Sequence, residues 1–131
     1  MASGQQSDDL SKAIGYYERY LKLPDSRLGG VAAKSARVNA LIAEATIYGE
    51  QLDYKGQIAT YERALKIQPG RTEFYLSIAN AQINNGDRAA AIKTYQKFLA
   101  LDPSSQYAAQ VKSALAQLQA TASPSPSPTA S

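Results

Sequence analysis

The chain repeats itself at an interval of 34 residues. Sliding Pro69 onto Pro103 also lays Tyr61 on Tyr95, Ile58 on Ile92, Leu65 on Leu99 and Ile67 on Leu101. Asp53 falls on Asp87 and Ala45 on Ala79 at the same shift. A partial copy, LSKAIGYYERYLKLP at 10–24, supplies Ile14, Tyr17, Leu21 and Leu23, with Asp9 in the place of Asp53 and Asp87. It is displaced from the second copy by 44 residues rather than 34. A period of this length dictates the architecture, because a unit this small buries a core only by stacking on its neighbours.

Within each copy the spacing is helical. Ile58, Tyr61 and Leu65 stand at i, i+3 and i+7, one face of a helix. Asp53 and Asp87 stand where an N-cap satisfies free backbone N–H groups. Pro69 and Pro103 end the helices just after Ile67 and Leu101. An earlier helical segment precedes each, VNALIAEATIYGEQL and TEFYLSIANAQINNG. The unit is therefore helix, turn, helix, stop.

These features resemble the tetratricopeptide repeat family, whose unit is a helical hairpin of this length. Tyr75, Ile78, Ala79, Ala91, Tyr95, Phe98 and Pro103 stand at its signature positions in one copy, and Asn85-Gly86-Asp87 resembles its inter-helix loop. Leu41, Ala45, Tyr48, Tyr54, Tyr61, Ala64 and Pro69 match in the copy before. The departures are Leu52 for the turn Gly, Gln57 for a small Ala, Glu44 for an apolar residue and Gln82 for an aromatic. The final repeat and its run into a last helix resemble bacterial members. The resemblance implies an all-α fold, a right-handed solenoid of about six antiparallel helices.

The expected organisation is a disordered N-terminal segment (1–8), a repeat domain (9–118) and a disordered Ser/Pro tail (119–131). The domain divides into the second helix of a partial repeat (9–24), two full repeats (38–71 and 72–105) and a capping helix (106–118). The extra stretch 25–37 is expected to extend the next helix backwards, from Val31 to Leu52, about 33 Å at the usual rise. Ser105 is the expected N-cap of the last helix, with Tyr107, Val111, Ala114, Leu115 and Leu118 as its buried stripe. The tail holds three of the six prolines and no charge, which excludes helix there.

Composition removes much of the catalytic repertoire. With no His and no Cys there is no imidazole base, thiolate nucleophile or Cys/His metal site. No phosphate-binding glycine motif and no EF-hand spacing occurs, so neither a cofactor nor a metal is expected. A formal charge of +3, with its basic residues dispersed, gives no nucleic-acid surface. No apolar run is long enough to insert directly into a membrane. The Asp8-Asp9 pair reads as a helix start rather than a catalytic dyad. Glu44 is expected to be semi-buried and paired with a Lys or Arg. Of nine tyrosines, Tyr17, Tyr48, Tyr54, Tyr61, Tyr75 and Tyr95 fall on packing positions, leaving Tyr16, Tyr20 and Tyr107 for an edge or surface.

The function that follows is protein binding without catalysis, as an adaptor or assembly scaffold. The resemblance implies a concave groove holding a partner's extended peptide or helix. Asn39, Ile42, Thr46 and Glu50 of one repeat and Glu73, Leu76, Asn80, Ile83 and Asn84 of the next would line it. Amide side chains suit peptide backbone because they donate and accept at once. The carboxylate clamp of chaperone-binding members is not expected, since Ile42, Thr46, Ser77, Tyr107 and Val111 at its positions carry no positive charge. A second expectation is a homo-oligomer, associating through the open N-terminal repeat edge at Tyr16 and Tyr20. Neither localisation nor the partner's identity is written in the sequence.

Overall fold

A computed structural model describes residues 2–122, with side chains described between 8 and 120. Among the described residues there are six α-helices and no strand: α1 (Ala2–Leu21), α2 (Ala33–Glu50), α3 (Tyr54–Ile67), α4 (Glu73–Asn84), α5 (Arg88–Leu101) and α6 (Ala108–Ala122). The strong contacts between helices join chain neighbours, α1 to α2 through to α5 with α6. The architecture is thus the expected all-α helical repeat stack.

The caps explain where the hairpins begin. Gly56 N–H donates to Asp53 Oδ1 at 3.0 Å, and Ala90 N–H to Asp87 Oδ1 at 3.1 Å. Before each cap the chain turns through a left-handed residue, Gly86 at φ 81° and Leu52 at φ 60°. Leucine pays there what glycine does not, on the order of 1 kcal/mol. The turn still forms because its backbone bonds are identical in kind: Asp53 N–H reaches the Tyr48 carbonyl and Asp87 N–H the Gln82 carbonyl, each at 2.8 Å.

Two apolar clusters hold the stack. Val38 and Leu41 of α2 close over Ala64 of α3, and Phe74 of α4 completes that cluster. Phe74 and Tyr61 rings lie 5.8 Å apart between centroids. Ala79 of α4 meets Ala91, Tyr95 and Phe98 of α5, with Val111 of α6 sealing the end. Each cluster therefore draws its last member from the next unit, as stacking requires.

Several boundaries differ from the sequence expectation. Helix α1 runs from Ala2 through the segment expected to be disordered. No proline interrupts 2–21, so nothing stops the helix extending backwards. Asp8 and Asp9 consequently stand exposed within the helix instead of capping it. Helix α2 is shorter than Val31–Leu52, because Gly29 and Gly30 adopt positive φ and a 3-10 turn, Gly30–Ala32, intervenes. Helix α6 starts at Ala108 rather than 106 and continues to Ala122, into the expected tail. The remainder of that tail, 123–131, and Met1 lie outside the described residues. Ser105 Oγ does accept from a backbone N–H, that of Tyr107, at 3.1 Å. Tyr107 is 41% exposed because it lies in the turn before the helix, which departs from its expected place in the buried stripe and agrees with its expected place at an edge or surface.

Candidate functional site

Of the residues expected to line a groove, Glu73, Leu76, Asn80 and Ile83 of α4 line hollows along that helix. Leu76 and Asn80 line a hollow of about 270 Å³ together with Tyr95, Tyr107, Gln110 and Val111. Glu73 lies in the adjoining hollow, where Tyr107 is again a wall. Its carboxylate is held by Arg71 Nε at 2.5 Å. At the other end Ile83, 38% exposed, lines a third hollow with Leu118. Asn84 is exposed at the end of α4. The stripe thus offers amides from both sides, Asn80 and Gln110, over a floor of Leu76, Tyr95 and Val111.

Gln110 is a binding candidate that the sequence expectation left out, and Tyr107, which it leaves for an edge or surface, is not placed there beside the α4 residues. A further application of the 34-residue shift finds them: it carries Glu73 to Tyr107, Leu76 to Gln110 and Asn80 to Ala114. Helix α6 stands where the first helix of a next repeat would stand, and Gln110, Val111 and Ala114 line the hollow with Leu76 and Asn80.

The residues expected from α2 do not join this hollow. Asn39 lines a separate one, of about 500 Å³, with Tyr16, Tyr17 and Tyr20 of α1 and Ala36, Ala40 and Ala43 of α2. Ile42 is partly buried against the first core cluster. The Thr46 hydroxyl donates to the Ile42 carbonyl at 3.0 Å, a local bond on its own helix. Glu50 is exposed at the end of α2. Of the nine residues expected in one groove, Asn39 alone lies in the α1–α2 hollow, Glu73, Leu76, Asn80 and Ile83 line the hollows along α4, and Ile42, Thr46, Glu50 and Asn84 line none of these.

Glu44 is buried, at 1% exposure, but not against a cation. Its buried Oε2 has no other hydrogen-bond partner, and its carboxyl faces the Glu18 carboxylate of α1. Arg63 of α3, whose charge reaches Glu44, pairs with Glu18 instead, at 2.8 Å from its Oε2. Two carboxyl groups share a hydrogen bond only when one keeps its proton. Burial pushes Glu44 up to about 8, and the bond to Glu18 and its negative charge add to the shift. Arg63 holds Glu18 below the ordinary carboxylate range. The pair is thus a neutral acid donating to an ionised one. Glu44 is sealed from solvent and ties α1 to α2, which makes it a structural group rather than part of an open site.

Among the described residues no cluster of acids has the arrangement of a metal site, and no helix is long and apolar enough to cross a membrane. A family model described as tetratricopeptide repeat matches residues 50–118, more than half of the chain. The matched span runs from the end of α2 into α6, and so covers the α4–α6 stripe. No curated protein matches the chain.

Proposed function

The chain belongs to the tetratricopeptide repeat family, and on that premise we propose that it binds an extended peptide or helix of a partner protein along α4 and α6, as an adaptor or scaffold without chemistry of its own. Repeats of this family are in general protein-interaction modules. The observation that carries the finer reading is the pairing of Asn80 and Gln110 across an apolar floor. A peptide amide has one donor and one acceptor, and each side-chain amide answers both. Leu76 and Tyr107 give an apolar side chain somewhere to lie, while Glu73 at the stripe's end, though balanced by Arg71, leaves the groove without a cationic anchor. A peptide with a free acidic terminus is therefore a poor fit, and an internal segment a good one.

Selection from a displayed library of random peptides tests this directly. Peptides enriched on the wild-type chain should lose about tenfold or more in affinity to a variant combining Asn80→Ala and Gln110→Ala, both at exposed positions, with helicity unchanged. Enriched peptides that bind the double variant equally well would refute the α4–α6 assignment.

A further inference from the structure

In both complete hairpins the second helix is covered by the first. Helix α2 lies over Ala64, and α4 over Phe98, each of which is 0% exposed. Thr60, one turn before Ala64, is 3% exposed. The 44-residue displacement assigns Tyr16 and Tyr20 of α1 to these same positions, and they are 64% and 38% exposed. Among the described residues no helix lies in front of them. Beside them Ala36, Ala40 and Ala43, spaced i, i+4 and i+7, hold the α1–α2 hollow of about 500 Å³ open to a close-fitting neighbour. This is the seat of a first helix, with its apolar lining in place.

We infer that the seat is filled by α1 of a second copy of the chain, the two α1 helices lying antiparallel across a two-fold axis. The charges on α1 favour that occupant and that direction. Asp8 and Asp9 are exposed toward one end of the helix, and Arg19 is exposed near the other, with exposed Lys22 just past it. Antiparallel pairing about an axis near Ile14 and Gly15 brings the acids of each copy beside the Arg19 of the other. Parallel pairing would oppose like charges instead. Arg19 already lies over the Tyr16 ring, 4.8 Å from its centroid, at the rim of the hollow. The remaining base on this face, Lys12, is exposed and free to reach water beside the axis. The arrangement is isologous, so each α1 covers its partner's tyrosines while its own are covered. It also supports a helix 20 residues long where α3 and α5 have 14 each.

Light scattering and sedimentation of the full chain test the inference. The wild type should reach twice its 14.0 kDa mass as concentration rises. A variant carrying Tyr16→Lys and Tyr20→Lys should dissociate at least about tenfold more readily, with its circular dichroism unchanged. Replacing both acids (Asp8→Lys, Asp9→Lys) or the base (Arg19→Glu) should each weaken the pair, and combining them should restore it. A chain monomeric up to about 1 mM would overturn the inference and leave the seat to a helix of another protein. A dimer indifferent to the tyrosine changes would place the interface elsewhere and overturn it too. Charge reversals that do not rescue one another would overturn the antiparallel arrangement.

Discussion

Glu44 shows how one residue sets the chemistry of a helix junction. In the unfolded chain its carboxyl titrates at the ordinary 4.5, and in the folded chain at about 8. Between those values the folded protein holds a proton that the unfolded chain has released. Unfolding therefore releases a proton, and stability falls as pH rises across that interval, levelling off once folded Glu44 also ionises. Glu18 acts at the acid end in the opposite sense. Its lowered pKa contributes stability that is present above the ordinary carboxylate value and lost as acid protonates it. Glu44→Gln keeps a donor for Glu18 and removes the titration. The variant should match the wild type near pH 5, exceed it by about 1–3 kcal/mol near pH 8, and show a flat profile between. Urea denaturation at several pH values reads this; a variant as pH-sensitive as the wild type would remove Glu44 as the cause.

At the scale of the element, the two complete hairpins solve one packing problem with different residues. In the first, Tyr48 lies against Gly56, where an added Cβ would come within 2.7 Å of the ring. In the second, the same positions hold Gln82 and Ala90, and Gln82 Oε1 accepts from the Thr94 hydroxyl at 2.6 Å. Thr60, the counterpart of Thr94, bonds the Gly56 carbonyl at 2.8 Å. Gly56→Ala should therefore destabilise, its overpacking of about 1–3 kcal/mol outweighing the helix-propensity gain of about 1 kcal/mol. Adding Tyr48→Gln should recover most of the loss by recreating the other hairpin's solution. Thermal melts of the two single variants and the pair decide it, and strict additivity would mean the sites are not coupled. The same comparison explains what could be read from sequence. Period, caps and stops are local and recur, so the helices from α3 to α5 were legible from Asp53, Asp87, Pro69 and Pro103. The extent of α1 was not, because a helix without a stop signal has no readable beginning. The partner of Glu44 was hidden for a different reason: Arg63 has one guanidinium and two acids within reach, and only the fold decides that Glu18 takes it. Of the residues expected in a groove, Glu73, Leu76, Asn80 and Ile83 of α4 are spaced along one helix and were legible as neighbours. Those of α2 were not, since the neighbour that Asn39 meets is α1 and not α4.

For the whole molecule, a stack joined mainly through chain neighbours should open from its least anchored end. None of the described side chains of α1 is fully buried. Leu21 reaches the first core cluster, Glu18 holds Arg63, and Gln51 Nε2 donates to the Ser11 hydroxyl at 3.3 Å. Beyond the helix, Arg37 ties the linker down through the Leu23 carbonyl at 2.9 Å and Asp25 at 2.6 Å. By contrast α4 and α5 share Ala79, Ala91 and Phe98, buried on every side. The Glu44–Glu18 bond lies at the weak junction. The charged and titratable groups around it are Lys22 just past the end of α1, Tyr48 on α2, Arg63 on α3 and Asp53 in the turn between α2 and α3. Of these only Arg63 and Lys22 favour a second negative charge there, and Arg63 is already engaged. Ionising Glu44 thus places two carboxylates together across the α1–α2 contact, while α4 and α5 lie outside its reach. Hydrogen exchange corrected for intrinsic rates should show α1 losing protection between about pH 6 and about pH 9, with α4 and α5 unchanged. Loss spread evenly over all six helices would mean that the chain opens as one unit. Unaltered protection of α1 would mean that the acid pair does not govern its docking. The expected gradient would make the N-terminal helix the adjustable part of the stack, held by one proton, and the α4–α6 surface its fixed part.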